Sequence, residues 1–325
     1  MDRAEFEASV ARHRAELHAH CYRMLGSVHD ADDALQDALL GAWKGRAGFE
    51  GRSSLRAWLY RIATNACLQL IARRPQRRMP PELRPAAAPD VDVAPPDGEV
   101  PWLEPYPDDP AATYEQRESV ELAFIAALQQ LPGTQRAVLI LCEVLGFAAA
   151  EAAEMLATTP ASVHSALERA RAKLATQVPA RSQQATLRDL GDADQRALVA
   201  AFVDAWARRD AAAIAAMLAR DARFTMPPIP SWFAGRDAIA EFFARQVFAT
   251  PWHLIPLRAS GQLAFACYQG PGFRLGALNI VTLAGREITE LTGFLDPAVH
   301  ARFGIPTDEF SAADHSHRHE EDLPG

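Results

Sequence analysis

Two neighbouring stretches of the chain carry charged and aromatic side chains at helical spacing. The first, HDADDALQDALLGAW from residue 29, places Asp30, Asp33 and Asp37 on one side of a predicted helix, opposite a row of alanine and leucine. The second, FEGRSSLRAWLYRIATNACLQLIARR from residue 49, has arginine and aromatic residues on a predicted helix after a glycine- and serine-containing loop. An acidic stripe alone is typical of a solvated helix face, but this adjacent helix favours binding to a nucleic-acid strand.

Capping and periodicity predict how the second helix is positioned. Ser53 is predicted to cap its N-terminus. Arg61 then faces away from the core, with Tyr60 and Asn65 beside it, and the helix leads into a basic run that suits nucleic acid. The face predicted to be buried comprises Leu55, Leu59, Ile62, Ala66 and Leu70.

The order of D-A-D-D-A-L-Q-D, F-x-G-x-S-S-L-R-A-W-L-Y-R-I-A-T-N and a basic end resembles domain 2 of bacterial sigma-70-family sigma factors, extracytoplasmic-function (ECF) group. The resemblance implies that the acidic helix docks on the β′ clamp of core RNA polymerase through Asp30, Asp33, Gln36 and Asp37. It also implies capture of an unpaired base of the promoter −10 element, which costs a few kcal/mol of lost stacking. The candidate −10 residues are Phe49, Ser53, Ser54, Arg56, Tyr60, Arg61, Asn65, Arg73 and Arg74.

Residues 114–178 show a helix-turn-helix pattern, in which Thr159 caps a last helix that has Pro160 at its first position. By pattern alone an ordinary helical hairpin would fit. LPGTQRAVLILCEVLGF and ALERARAKL resemble sigma domain 4, which implies a reader of the −35 element that also meets the β flap of the polymerase. His164 and Ala166 replace the family's usual Lys and Arg, so fewer cations are expected. The candidate −35 residues are Ser162, His164, Ser165, Arg169, Arg171 and Lys173.

Residues 79–113 are rich in proline, alanine and aspartate and show no helical or strand period, which is typical of a linker. Within them, PWLEPYPDDP carries three large apolar side chains, Trp102, Leu103 and Tyr106. Exposed aromatic groups gain nothing in a free linker, so this segment is predicted to dock on the chain's own C-terminal domain or on the polymerase. A WLEP-like motif here resembles the ECF subgroup with an extra C-terminal domain, which favours regulatory docking. A second, polar linker is predicted over 179–191.

Residues 192–306 change to helices followed by strands, the order of an α+β domain with one curved sheet wrapped on helices. Strands are predicted over 222–226, 252–259, 262–268, 275–283 and 287–295. DARFTMPPIPSWFAGRDAIAEFF and NIVTL…REITELTGFLDPAV resemble the SnoaL-like branch of the NTF2-like cone fold, which hosts both enzymes and binding modules.

The C-terminal domain leaves two interpretations open, a ligand pocket and an ordinary core. A cone mouth could hold a small apolar ligand, or the same residues could simply pack the interior: Trp206, Phe224, Met226, Trp232, Trp252 and Phe294. Acid–base catalysis would need a carboxylate or histidine with a tuned pKa inside that mouth. The nearby candidates are Asp204, Asp221, His253 and Asp296.

The whole sequence therefore predicts a multidomain protein, with two all-α sigma domains at 1–78 and 114–178, an NTF2-like α+β domain at 192–306 and a disordered tail at 307–325. The 325 residues carry a net charge of −8, but arginine concentrates in the first domain and around residue 170, so DNA binding is compatible with the local charge. The four cysteines have no metal spacing and are predicted to be buried and reduced. No signal peptide or membrane-length apolar run is found, so a cytoplasmic protein is expected.

Two functions of different class remain. The first is a sigma factor that directs promoter-specific initiation and is regulated in cis by its C-terminal domain. Core RNA polymerase and promoter DNA are its expected partners, a small-molecule ligand of the C-terminal domain is an open one, and no cofactor, metal or catalytic residue is expected. The alternative is a SnoaL-like isomerase or hydrolase fused to a DNA-binding module.

Overall fold

The computed structural model describes residues 3–49, 54–108, 116–117 and 119–306, and the first side chain described is that of Val10. The predicted cap Ser53 and the predicted disordered tail lie outside the described residues. The chain forms two compact units, one from residues 1–78 with 99–182 and the other from 79–98 with the chain after 182.

The first unit begins with three helices, α1 (Arg3–Leu25), α2 (Val28–Gly45) and α3 (Leu55–Ile71). Ser27 caps α2 by accepting a hydrogen bond from the Asp30 amide, and Ser54 caps α3 in the same way. The predicted buried face of α3 is wrong in part. Of its five residues Leu59 is buried, and the other four are partly exposed, because the buried residues of the helix lie mostly along another side. The buried residues of α3 are Ala57, Trp58, Leu59, Tyr60, Ala63, Thr64 and Cys67.

The same unit continues with α4 (Leu122–Gln129), α5 (Gly133–Leu139), α6 (Ala149–Met155) and α7 (Pro160–Leu174). The Thr159 hydroxyl accepts a hydrogen bond from the Ser162 amide, as an N-cap does. A left-handed residue, Ala157 with φ 50°, lies in the turn between α6 and α7. These two helices form the predicted helix-turn-helix.

Buried polar contacts join the two helical halves of this unit. The Arg136 guanidinium on α5 donates to the carbonyl of Met24 at the end of α1, and also to Gln129 Oε1 at 2.7 Å and the Leu131 carbonyl at 3.1 Å. The Arg23 Nη2 atom on α1 donates to the Ser119 hydroxyl at 2.6 Å. Burial lowers the pKa of Arg136 to about 10, so the guanidinium stays charged at neutral pH.

The second unit is α+β, as predicted. Its helices are α8 (Gln183–Ala207, interrupted at Gly191), α9 (Ala211–Met217), α10 (Arg236–Arg245) and α11 (Pro297–His300). Its strands are β1 (Leu218–Met226), β2 (Ile229–Ala234), β3 (Trp252–Ala259), β4 (Gln262–Gln269), β5 (Arg274–Ala284) and β6 (Glu287–Phe294). They form one sheet in the order β2-β1-β6-β5-β4-β3, in which only the β1–β6 pair is parallel.

Two features of this unit correct the prediction. Residues 183–190, expected to be part of a polar linker, are helical. The Gln183 side chain exchanges two hydrogen bonds with the Leu283 backbone, at 3.0 and 2.7 Å, and Leu187 is buried in the core. Strand β2 was not predicted, because prolines precede it and occur within it.

A cluster of aromatic rings fills the space between the sheet and its helices. Trp206 packs edge-on against Phe243 and Phe248, with ring centroids 5.3 and 5.4 Å apart. Phe233 stacks on Phe242 at 4.0 Å. Among the residues that the structure describes, no helix is long and apolar enough to cross a membrane.

Candidate nucleic-acid interface

The acidic face of α2 is narrower than the helical wheel indicates. Asp30 is buried, with 3% of its surface exposed, and forms ion pairs with Arg74 and Arg77. Its placement on the solvent side is therefore corrected. Asp33 is 45% exposed at its side chain, and Gln36 and Asp37 are exposed.

Leu40 extends this face with an apolar group that the sequence analysis missed. Half of its surface is exposed, and it lies one turn after Gln36 and Asp37. The adjacent leucines at 39 and 40 are the signal that could have revealed it, since both cannot face the core of one amphipathic helix. An exposed leucine beside carboxylates gives α2 a face of mixed character, suited to a protein partner rather than to DNA.

The predicted DNA face of α3 divides into a covered part and an open part. Tyr60 is fully buried, and its hydroxyl donates to Glu16 at 3.1 Å. Arg56 is ion-paired with Glu16 at 3.3 Å and lies over the ring of Phe147, 4.8 Å from its centroid. The Tyr60 ring also meets Phe147, at 5.4 Å. Phe147 of domain 4 thus contacts two of the candidate −10 residues, of which Tyr60 is buried, contrary to the wheel, and Arg56 is partly exposed.

The open part of α3 is a continuous polar row. Arg61, Asn65, Gln69 and Arg73 are all exposed and follow one another at steps of four residues. Gln69 was not among the predicted residues, although its spacing from Asn65 would have placed it there.

The remaining −10 candidates have other partners. The Ser54 hydroxyl is the α3 cap, and the half-buried Phe49 ring packs on Trp58 with centroids 5.0 Å apart. Arg74 is occupied by Asp30 and by Asp33 at 3.7 Å.

All six candidate −35 residues on α7 are exposed. The Arg169 guanidinium donates to the Ser165 hydroxyl at 2.7 Å, which holds the two side chains together on one outward face. Arg171 is ion-paired with Glu143, and Lys173 donates to the Gln130 carbonyl. The cations nearer the C-terminus of α7 are therefore engaged within domain 4.

The WLEPYP segment docks on the first helical half, a docking site that was not predicted. Glu104 accepts hydrogen bonds from the Ser27 hydroxyl and the Val28 amide, both at 2.8 Å, so its carboxylate lies at the positive N-terminus of α2. Leu103 is buried, and the Tyr106 hydroxyl is hydrogen-bonded to His18 at 2.8 Å. Trp102 is buried as well, with 9% of its surface exposed.

Gly26 allows this close approach, because a Cβ there would lie 2.9 Å from the Leu103 side chain. Its φ of +68° is also a left-handed conformation that favours glycine.

The residues predicted to line a cone mouth do not all lie on one face of the sheet. Trp206, Phe224 and Met226 belong to the buried aromatic core. Phe294 is also buried, but it follows the core residue Leu291 by three positions on β6. Because side chains alternate between the two faces of a strand, Phe294 lies on the opposite face of the sheet from Leu291. Trp232 and Trp252 are half-buried.

The acidic candidates for catalysis lie outside the aromatic core. Asp204 is 61% exposed and pairs with Arg208, and Asp296 caps α11 by accepting from the Ala298 amide at 2.8 Å. Asp221 is exposed on β1. Among the residues described, no group of three or more His, Cys, Asp or Glu side chains could hold a metal ion. Cys21, Cys67 and Cys267 are buried free thiols, whereas Cys142, also predicted to be buried, is partly exposed.

Comparison with known proteins accounts for most of the chain. Residues 10–78 match the family model Sigma-70 region 2, residues 121–174 match Sigma-70, region 4, and residues 199–291 match the SnoaL-like domain. The solved structure of the ECF sigma factor SigJ of Mycobacterium tuberculosis aligns with a TM-score of 0.58 and 21% identity, covering 94% of this chain and all of that one. At that identity the alignment shows a shared fold.

Curated relatives carry the similarity further. ECF RNA polymerase sigma factor SigM of M. tuberculosis is 32% identical over 174 residues, 54% of this chain and 77% of the relative. ECF RNA polymerase sigma factor SigG of M. tuberculosis is 40% identical over 319 residues, 94% of this chain and 85% of the relative. The chain is therefore an ECF sigma factor of the sigma-70 family with a C-terminal SnoaL-like domain, which binds core RNA polymerase and directs promoter-specific transcription initiation.

Proposed function

We propose that this sigma factor divides its tasks among three exposed faces. The α2 face of Asp33, Gln36, Asp37 and Leu40 binds the β′ clamp of core RNA polymerase. The α3 row of Arg61, Asn65, Gln69 and Arg73 contacts unpaired bases and phosphates of the −10 element. The α7 face that includes Ser162, His164, Ser165 and Arg169 enters the −35 major groove. Domain 4, which carries α7, also meets the β flap.

The observation that carries this proposal is that the side chains of these three faces are exposed and have the charge or polarity that the proposed partner requires. Each proposed residue is solvent-accessible and lies on a helix or, for Arg73, in the turn that directly follows α3. Asp30, Arg56 and Tyr60 are left out because they are engaged within the protein, and the energy of their present contacts would have to be replaced.

The packed arrangement of domains 2 and 4 must open for initiation. The names of the two promoter elements place them roughly 25 base pairs apart, or about 85 Å of B-DNA at about 3.4 Å per base pair. A compact unit of about 160 residues is only about 40 Å across. Helices α3 and α7 therefore cannot reach both elements on straight DNA while Arg136 and Phe147 hold domain 4 against α1 and α3.

The C-terminal SnoaL-like domain is proposed to regulate this opening in cis rather than to catalyse a reaction. Support comes from the interior of the domain, where Trp206, Phe243 and Phe248 pack ring against ring. The carboxylates Asp204, Asp221 and Asp296 lie outside that core. The protein is proposed to act in the cytoplasm, where promoter DNA and the polymerase are found.

Binding to the polymerase can be tested with paired aspartate variants. Asp33→Asn with Asp37→Asn should weaken binding to purified core polymerase at least tenfold, measured by fluorescence anisotropy of labelled sigma factor. Asp32→Asn is the matched control, because Asp32 is on the same helix but contacts His18 at 3.2 Å. Equal affinity of the double variant and the wild type would refute the proposed α2 face.

Regulation in cis can be tested by shortening the chain. Because residues 183–190 pack within the second unit, the cut belongs after Ser182. The shortened chain and the full chain should differ in run-off transcription with core polymerase from the same promoter. Identical transcript yields at every sigma concentration would eliminate cis regulation, while leaving the sigma activity itself intact.

A further inference from the structure

Residues 84–97 lie along the open edge of the C-terminal sheet. Strand β2 is at one end of the sheet order and is bonded to β1 on one side. On its other side, the Ala87 amide donates to the Trp232 carbonyl at 2.7 Å. Several domains recognise peptides through backbone hydrogen bonds to an exposed sheet edge.

Further hydrogen bonds continue along the same edge. The Ala94 amide donates to the Ser231 hydroxyl at 3.0 Å, and the Asp97 amide donates to the Pro228 carbonyl at 2.9 Å. These bonds hold the segment on β2 on both sides of a turn, in which the Val91 amide donates to the Ala88 carbonyl at 3.3 Å.

Side-chain donors from the domain recognise carbonyl groups of the segment. The Trp232 indole Nε1–H donates to the Arg84 carbonyl at 2.8 Å, and the Gln246 amide donates to the Val91 carbonyl at 3.2 Å. A tryptophan that presents its N–H to a carbonyl is a feature of grooves that bind proline-rich peptides, since proline offers only a carbonyl. The segment contains four such residues, Pro85, Pro89, Pro95 and Pro96.

Apolar contacts complete the site. Ala87 and Val93 pack against the hydrophobic core of the C-terminal domain, together with the domain's own Ile229. Val91, between them, is 53% exposed. The apolar side chains on either side of the turn at 88–91 therefore face the domain, whereas Val91, at the end of the turn, faces solvent.

We propose that the β2 edge, with Trp232 and Gln246, is a peptide-recognition site for a proline-rich segment that contains a turn, and that residues 84–97 of the same chain occupy it. The SnoaL-like domain thereby acts as a peptide-binding module whose ligand is the linker between domains 2 and 4. The inference does not rest on which residues contact polymerase or DNA. Because the segment is part of the chain, its effective concentration at the site is on the order of millimolar, so the site is filled in the free protein.

The test uses the full chain with a pair of matched double variants. Ala87→Pro with Val93→Asp removes one donor and one buried contact of the segment. Ala86→Pro with Val91→Asp makes the same two chemical changes at exposed neighbours. In the first variant, hydrogen exchange at the amides of Ala94 and Asp97 should accelerate at least tenfold, and in the control it should stay within about threefold of the wild type.

A second measurement asks whether the vacated edge binds peptide. A fluorescein-labelled synthetic peptide of residues 84–97 should bind the Ala87→Pro/Val93→Asp chain in fluorescence anisotropy, and should not bind the wild type or the control. The same peptide carrying Ala87→Pro should bind at least fivefold more weakly. Equal binding to all three chains, or no binding to a variant that retains the wild-type thermal unfolding transition, would overturn the proposal.

A milder change covers the case in which the double variant does not fold. Gln246→Ala removes one side-chain donor at the end of α10 and should accelerate exchange at Ala94 and Asp97 about threefold. Exchange equal to the wild type in this variant would likewise overturn the proposal.

Discussion

Helices α3 and α7, both proposed to contact promoter DNA, differ in how much of their surface is available. On α7 all six candidate residues are exposed, and Ser165 and Arg169 are joined in one outward pair. On α3, Arg56 and Tyr60 are covered by Glu16 and by Phe147 of domain 4. The proposed −35 face is therefore open in the free protein, whereas the proposed −10 face is partly closed.

The difference follows from what each helix has to recognise. A helix-turn-helix reads a double helix from outside, and outward side chains on one face are sufficient for it. A flipped base needs surrounding contacts to offset its lost stacking, so its receptor has to be concave. In this unit Phe147 of domain 4 lies against α3, and we therefore propose the packing between domains 2 and 4 as the controlling contact.

The largest expected effect concerns that packing. Arg136→Ala should lower the free energy of unfolding by about 3 kcal/mol, because it leaves the buried carbonyls of Met24 and Leu131 without their donor. Urea unfolding monitored by circular dichroism would measure it. Arg169→Ala, on the exposed face of α7, is the control and should change stability by less than about 0.5 kcal/mol. Equal effects of the two changes would contradict the difference between covered and open surfaces.

An acid-dependent loss of stability is the next effect in size. His20 is fully buried, and burial, together with the charge of Arg23, lowers its pKa to about 3 from 6.5. A base whose pKa is depressed by folding contributes stability above pH 6.5, and that contribution is lost as the pH falls toward 3. Between pH 7 and 5 the loss should be about 2 kcal/mol.

The variant His20→Gln, which keeps a donor for the Thr64 hydroxyl, should flatten this part of the stability profile. Urea unfolding at several pH values would measure both proteins. An unchanged slope in the variant would assign the acid sensitivity to other groups.

A smaller effect is expected on promoter opening, and it should differ between the open and covered parts of α3. Arg61→Ala should reduce promoter opening about tenfold, or about 1.4 kcal/mol, because Arg61 lies on the exposed row. Arg56→Ala should reduce it about twofold, because Arg56 is engaged with Glu16. Permanganate reactivity of −10 thymines, with core polymerase present, would compare them. A larger loss for Arg56 would reverse the assignment of the two parts.

The smallest effect is expected on binding to the −35 duplex, where two arginines of α7 should differ in their contribution. Arg169→Ala should weaken binding to a −35 duplex about fivefold, roughly 1 kcal/mol. Arg171→Ala should have less than a twofold effect, because its guanidinium is paired with Glu143. Electrophoretic mobility shifts at fixed salt would measure both, and equal losses would show that the Glu143 pair opens on binding.

The sequence allowed most helices and strands to be predicted, and the exceptions have physical causes. Strand β2 was missed because Pro227, Pro228 and Pro230 argue against a central strand, yet β2 is an edge strand, where proline is tolerated. The helix over 183–190 was taken for a linker because its polar sequence conceals the contact of Gln183 with a strand 100 residues away.

The exposure of a candidate residue was predictable where it depends only on the helix that carries the residue. The six candidate residues of α7 are all exposed, as follows from the period of that helix. Helix α3 is covered on more than one side, so a single wheel could not show that Tyr60 is buried. Asp30 was misplaced because its partners Arg74 and Arg77 lie more than 40 residues away in the sequence.

The central claim is that domains 2 and 4 are packed together in the free chain and separate on the promoter. Single-molecule energy transfer between labels at Lys44 and Ala172, exposed ends of α2 and α7, tests it directly. High transfer efficiency in the free chain and low efficiency in the complex with core polymerase and promoter DNA are predicted. The same high efficiency in an active initiation complex would contradict the account.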